Sequence, residues 1–246
     1  MYIAIIGDII ASRSAIENRY AVQEELKETL SKINELYESD IKSSFTLTLG
    51  DEFQGLLHPT PHLFEILDYI RIFHNKFFIE RPSEALSFRF GIGIGSMLTA
   101  IDAHSSLGAD GPAYWNARKA LEHIHNQNDY GYTNIHIAAD FTDLSTGALL
   151  IDSCNDTLRL CGFIESKWRR SQQRFVADYL SRYGFEANAV PQIRIAEDLQ
   201  ITPQQVTQSI KRTGLYQYLD ARLSASILLD ASLTDGEQTQ FREDRV

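Results

Sequence analysis

Cysteine is scarce in this chain of 246 residues, which has only Cys154 and Cys161. Two thiols cannot form the disulfide framework of a small secreted fold. On one helix they would stand two turns apart, about 10 Å at 1.5 Å rise per residue, too far to bridge. They read as two buried thiols. Long apolar runs are missing as well: no stretch approaches the roughly 18 residues that suggest a membrane span. The start, Met1-Tyr2-Ile3-Ala4-Ile5-Ile6-Gly7-Asp8, has no basic segment ahead of its apolar run and meets a carboxylate at once. It reads as a first strand rather than a signal peptide, and the expected location is cytoplasmic. Internal repeats and low-complexity tracts are absent. What remains, 43% hydrophobic and 23% charged residues, is the composition of an ordinary globular protein with room for one large domain or two small ones.

An excess of basic residues is also lacking. The formal net charge is −10, but it is unevenly spread. Residues 1–163 carry a net of −10, residues 164–232 a net of +2 and residues 233–246 a net of −2. The first two-thirds would repel a polyanion, and only the 164–232 segment is electrostatically suited to nucleic acid. Two parts with different partners are expected.

The patterning supports that division. Tyr2–Ile10 is a continuous apolar run with β-branched residues, so a central strand buried on both faces. Val22, Leu26, Leu30, Ile33 and Leu36 recur at helical steps. Phe45–Leu49 and Phe53–Leu57 flank the turn Gly50-Asp51-Glu52 and predict a hairpin. Leu63–Phe77 is helical, and Leu86–Ser96 alternates as a strand with Phe88, Phe90, Ile92 and Ile94 on one face. Asp110-Gly111-Pro112 opens a helix through His123, and Thr133–Ala138 is a strand. The order β-α-β-β-α-β-α-β predicts, up to its fourth strand, the ferredoxin-like split βαβ pattern. Residues 141–165 are expected to form a linking helix, with Leu149, Leu150, Leu158 and Leu160 among its apolar positions. Everything beyond Trp168 reads as helical. The fold class is therefore α+β: a ferredoxin-like antiparallel sheet domain over 1–140, the linking helix, an all-α domain over 166–232, and a disordered tail over 233–246.

Three carboxylates attract attention. Asp51 and Glu52 sit at the hairpin turn, and Asp8 lies between Ile6 and Ile9 inside a buried run, where a charge needs partners. If the first strand lies beside the hairpin, these oxygens converge, which suits Mg²⁺ or Mn²⁺ with a nucleotide phosphate. The alternative is a simple turn cap, with Asp8 accepting from a nearby helix start. Gly91, Gly93 and Gly95 alternate along one strand face, so they read as close helix packing rather than a phosphate loop. Anion sites are more plausible at the helix start near Ser12-Arg13, or near Gly111-Pro112 with Arg118-Lys119. Tyr114-Trp115 could stack on a base or belong to the core. His62, His74, His104, His123, His125 and His136 show no metal spacing.

Gly7-Asp8-Ile9-Ile10 and Leu49-Gly50-Asp51-Glu52-Phe53 resemble the two metal-aspartate segments of the nucleotide cyclase superfamily, including its GGDEF branch. Asn116 with Leu121-Glu122 resembles the cyclase Asn-x-x-x-Arg-Leu-Glu helix. The resemblance implies a palm-like fold, metal at Asp8, Asp51 and Glu52, and nucleotide near Ser12, Arg13, Asn116, Arg118 and Lys119. The transition-state arginine of cyclases is Ala120 here, with Arg118 out of register. Beyond that superfamily, Ile6–Arg13, Leu49–Leu57, Arg89–Gly95 and Asp110–Arg118 resemble the bacterial SatD family.

In the C-terminal part, Ile195, Ala196, Leu199, Ile201, Val206 and Ile210 match the buried pattern of a helix-turn-helix. Thr202 is a good N-cap and Pro203 suits the first helical position. Gln200 replaces the usual turn glycine, which asks for slight backbone strain. The outer face would carry Gln204, Gln205, Thr207, Gln208, Lys211 and Arg212, with Gln and Thr suited to base edges and Lys and Arg to phosphate. Such modules also serve in docking or dimerisation, so DNA and a second copy of the chain are both candidate partners. The preferred reading is a regulator in which a metal- and nucleotide-binding domain signals to a DNA-binding helix-turn-helix. The alternatives are a metal-dependent nucleotidyl or phosphoryl transferase, or a scaffold with two degenerate sites.

Overall fold

The computed structural model describes residues 1–10, 19–79, 87–127, 129, 131–140, 146–185 and 189–243, with the backbone alone at 19, 49, 73–79 and 235–243. The chain runs β1 (Tyr2–Ile10), α1 (Arg19–Leu36), β2 (Ile41–Leu49), β3 (Glu52–Leu57), α2 (Leu63–Ile79), β4 (Ser87–Gly95), α3 (Pro112–Asn126) and β5 (Ile135–Ala139). Five further helices follow: α4 (Thr146–Ser166), α5 (Arg170–Tyr183), α6 (Gln192–Leu199), α7 (Pro203–Thr213) and α8 (Leu215–Glu243). This is an α+β chain, a five-stranded sheet packed with helices and then a helical region. The apolar pattern of the last helix stops near Leu233, yet α8 continues to Glu243.

The strand order is β2-β3-β1-β4-β5. As expected, β1 lies beside the hairpin: it pairs antiparallel with β3 on one side and with β4 on the other. The sheet is mixed rather than antiparallel, because β5 pairs parallel with β4. The reason is α3. A chain that leaves the end of one strand can lie parallel to it only after a crossover, and α3 makes that crossover. β2 starts at Ile41, earlier than the apolar alternation suggested, and its pairing with β3 shifts register three times.

Period-2 alternation sends each strand's side chains to two different layers. Ile3, Ile5 and Ile9 of β1 join Phe88, Phe90, Ile92 and Ile94 of β4 under α1 and α2, in a cluster that continues without a break to Leu233 of α8. Ala4 and Ile6 face the other way and meet Ala113, Ala117, Leu121 and Ile124 of α3. The helical region therefore packs on the α2 side of the sheet, and α3 covers the opposite side. In α4 the buried stripe is Ile151, Cys154, Leu158 and Cys161, while Leu149 and Leu160 are exposed. The two thiols are free and buried, and burial pushes both up to about 11.

The three glycines of β4 show what sets the α3 layer. A Cβ on Gly93 would fall 2.0 Å from the Ala113 carbonyl oxygen and 2.1 Å from the Ala117 nitrogen. One on Gly91 would fall 2.3 Å from the Ala117 carbonyl oxygen. Helix backbone rests directly on strand backbone, which only glycine permits. The packing reading of these residues holds, and no phosphate could enter there.

Candidate functional site

Asp8 stands opposite Glu52 of β3 and opposite Arg89 of β4, so one row across the sheet carries Glu52, Asp8 and Arg89 on the α3 side. Two like charges directly opposed on a sheet destabilise it unless compensated. Neighbouring side chains compensate them. Asp8 Oδ2 accepts from Arg89 Nη1 at 3.4 Å and lies 3.0 Å from His125 Nε2 of α3. Glu52 receives both nitrogens of the Arg118 guanidinium, at 2.6 and 2.9 Å. That fork, ahead of the contribution from Thr48, holds the Glu52 carboxyl below its usual range despite partial burial. Asp51 sits at the turn, where its carbonyl accepts the Ile9 N–H at 3.3 Å.

These neighbours change the expected chemistry. Asp8, Asp51 and Glu52 are close along the backbone, but no group of three or more His, Cys, Asp or Glu among the described residues is arranged to hold a metal ion. Arg89 and Arg118 set positive charge against these carboxylates, and the His125 ring lies beside Asp8. One oxygen, Asp8 Oδ1, is buried without a hydrogen-bond partner among the described residues. Mg²⁺ takes several oxygen ligands, and beside Arg89 this position offers one oxygen left open.

The nucleotide residues divide. Ser12 and Arg13 lie outside the described residues. Asn116 is buried, and its amide donates to the Ile94 carbonyl at 2.9 Å, so it ties α3 to β4. Lys119 lies 3.3 Å from Asn116 Oδ1 and 3.3 Å from an Asp140 oxygen. At the start of α3 the Ala113 N–H is already taken by the Ser96 carbonyl. Even so, an open groove of about 420 Å³ runs along α3, with Ile6 as its floor and Gln54, Tyr114, Trp115, Arg118 and Lys119 among its walls. The aromatic pair separates: Tyr114 is core, whereas Trp115 is half exposed and donates to Asp110 at 2.7 Å. The Tyr114 hydroxyl, against Ser106, has no hydrogen bond of good geometry, and burial pushes it well above its usual range.

A second surface lies in the helical region. α6 ends at Gln200, which is in the left-handed conformation at φ 55 and ψ 42 and is the one such non-glycine residue among those described. The strain expected at this position is present. Thr202 then caps α7: its hydroxyl accepts the Gln205 N–H at 3.2 Å, and Gln205 Oε1 accepts the Thr202 N–H at 2.8 Å. This reciprocal pair satisfies two donors that a bare helix start leaves open. Ile195, Ala196, Val206 and Ile210 are buried and hold the two helices together, with Leu199 and Ile201 half buried. Gln204, Gln205, Thr207, Gln208, Lys211 and Arg212 are all exposed. Thr207 is partly engaged, donating to Gln192 at 2.7 Å. Gly214, left-handed at φ 63, ends α7.

One cluster escaped the sequence reading. Arg222 of α8 is 2% exposed and donates to Asp68 of α2 at 2.8 Å. Arg71 reaches the same oxygen at 3.3 Å and also binds Glu165 of α4. The sequence did carry a signal: Arg222 interrupts the buried stripe Leu215, Leu219, Ser226, Leu229 at helical spacing.

Sheet layer and helical region also go together in comparison with known families. The SatD family model matches residues 2–229, nearly the whole described fold. The chain belongs to the SatD family. Among curated proteins none matches it. No helix of this SatD-family chain, among the described residues, is long and apolar enough to cross a membrane.

Proposed function

We propose that this SatD-family protein is a DNA-binding regulator. In this reading α6 and α7 are a helix-turn-helix, and α7 enters the major groove with Gln204, Gln205, Thr207 and Gln208 toward base edges and Lys211 and Arg212 toward phosphate. The observation that carries it is the exposed, almost wholly polar outer face of α7, presented by a pair whose turn is locked at Gln200 and capped at Thr202. The sheet, with the order β2-β3-β1-β4 of a ferredoxin-like split βαβ unit, is the sensing part. Its ligand is a small anion with a ring, of the nucleotide class, held in the α3 groove by Arg118, Lys119 and Trp115. The regulatory reading draws on Ala120 as well: the position of a cyclase arginine is here a fully buried alanine.

The test is selection of bound sequences from a randomised duplex pool, followed by the variant Gln204→Ala/Gln208→Ala. The expected result is an enriched motif that the variant no longer prefers, at a cost of about 1–3 kcal/mol per lost bidentate contact. Failure of the protein to retain any duplex at low salt would remove the proposal.

A further inference from the structure

The helix-turn-helix reading accounts for Lys211 and Arg212 but not for two arginines more than forty positions earlier in the sequence. Trp168 leads into Arg169 and Arg170 at the start of α5. The fold brings that start against the end of α7. The buried Trp168 indole donates to the Thr213 carbonyl at 2.8 Å, and Gln172 Nε2 donates to the Arg212 carbonyl at 3.2 Å. The same Gln172 side chain accepts the Arg169 N–H at 2.8 Å. One glutamine thus bridges the backbones of Arg169 and Arg212.

The two joined segments carry four cationic residues, and none of them has a salt bridge to a described residue. Arg169, Arg170, Lys211 and Arg212 are all exposed. Three other arginines of the helical region are paired, while Arg182 at the end of α5 is exposed. Arg174 pairs with Asp178 at 3.8 Å, Arg194 with Asp198 at 3.7 Å and Arg222 with Asp68 at 2.8 Å. Lys167 lies over the Phe163 ring at 4.5 Å. At the end of α7 a cation is favoured by the helix dipole, but at the start of α5 it is opposed by one. Arg169 and Arg170 therefore sit where the isolated protein gains least from them and is repelled by Lys211 and Arg212.

We infer that Arg169 and Arg170 join Lys211 and Arg212 in a phosphate clamp for duplex DNA, set beside the base-reading face of α7. The inference rests on the DNA-binding reading above and adds contacts from outside the helix-turn-helix. The first half of α7 carries the side chains for base edges, and the clamp flanks its second half, where a helix lying in a major groove approaches the sugar–phosphate wall. Arginine suits that wall, because its planar fork takes two phosphate oxygens at once.

The test is fluorescence anisotropy of the full chain with a mixed-sequence 24-base-pair duplex, read as the slope of log affinity against log salt. Each phosphate contact contributes about 0.9 to that slope, so Arg169→Ala/Arg170→Ala should lower it by about 1.8 and weaken binding at least tenfold at low salt. Arg174→Ala, on the same helix, should leave the slope unchanged. Arg169→Gln/Arg170→Gln keeps the aliphatic stem and a polar end without the charge should the alanine pair fail to fold, and it should show the same loss. An unchanged slope in the double variant, alongside a lowered one in Arg212→Ala, overturns the clamp while the DNA reading stands. No duplex binding by the native protein overturns both. Tighter binding to a 24-nucleotide single strand than to the duplex overturns the duplex assignment.

Discussion

Replacing Arg222 with methionine tests the tie between the sheet layer and the helical region. Arg222 belongs to α8 and Asp68 to α2, and both are buried, at 2% and 3% exposure. The guanidinium donates to Asp68 at 2.8 Å and lies 5.3 Å from the centres of the Phe64 and Tyr218 rings. Burial pushes the Asp68 carboxyl up, and Arg222 is the strongest influence holding it down. Methionine keeps the apolar stem and removes the charge, leaving Asp68 with Arg71, which Glu165 also claims, and the Tyr218 hydroxyl at 3.4 Å. Breaking a buried pair from one side costs about 3–5 kcal/mol. The remaining Arg71 puts this case at the low end, about 3 kcal/mol, and thus about 6–12 °C in melting temperature for a chain of this size. Urea denaturation followed by tryptophan fluorescence measures it, since Trp168 stacks edge-on against Tyr218. Asp68→Asn in the Arg222→Met background removes the stranded charge, so the double variant should recover about 2 kcal/mol relative to the sum of the singles. A single variant within 1 kcal/mol of the native protein, or strict additivity, would refute the account of the joint.

Two further outcomes follow from geometry. Gly93→Ala places a methyl group among the backbone atoms of α3, at 2.0 Å from the Ala113 oxygen, and should cost at least about 3 kcal/mol, the upper range of overpacking; a variant with native urea midpoint contradicts the packing argument. His136 lies flat on His123, ring centres 3.9 Å apart, and burial, then the neighbouring imidazole, depresses it to about 4. Its folded value is below the unfolded one, so its contribution is intact above about pH 6.5 and is lost as pH falls from there toward 4. With allowance for partial solvent screening, the native protein should lose about 1 kcal/mol more than His136→Gln between pH 7.5 and 5. Parallel losses in the two proteins would contradict it.

Much of this was readable from residue order, for reasons that differ by element. β1 and β4 are continuous or strictly alternating apolar runs, and such runs leave little choice of face. The strain at Gln200 was legible because Thr202-Pro203 marks the next helix start, which puts the left-handed residue two positions earlier. The parallel pairing of β5 was not, since it depends on where α3 lands. In α4 the burial of Cys154 and Cys161 was legible, but the exposure of Leu149 and Leu160 was not, because it depends on which face of the helix α8 covers. The nearness of Asp8 to the hairpin was foreseeable. Their partners were not, because Arg89 arrives through the β4 register and Arg118 and the His125 ring through the seating of α3 on three glycines. The Asp68–Arg222 pair spans about 150 positions, beyond the reach of any local pattern.

The charge distribution now has a structural interpretation. A chain of net −10 is a poor candidate for binding a polyanion by bulk attraction. The 164–232 segment holds nine Lys+Arg against seven Asp+Glu, a surplus too small to matter if all were free. They are not free: Glu165, Asp178 and Asp198 are each in an ion pair, as are Arg174, Arg194 and Arg222. Pairing cancels part of that charge in place, and of the cations without a salt bridge to a described residue Arg169, Arg170, Lys211 and Arg212 belong to the start of α5 and the end of α7, which are tied together, while Arg182 lies at the other end of α5. If the proposed DNA reading holds, a weakly charged region with its free cations gathered on one side can still favour one docking orientation over others. Acidic faces lying more than about 8–10 Å from a bound phosphate would be screened at physiological ionic strength, so the salt slope in the proposed complex would weigh the nearby cations most.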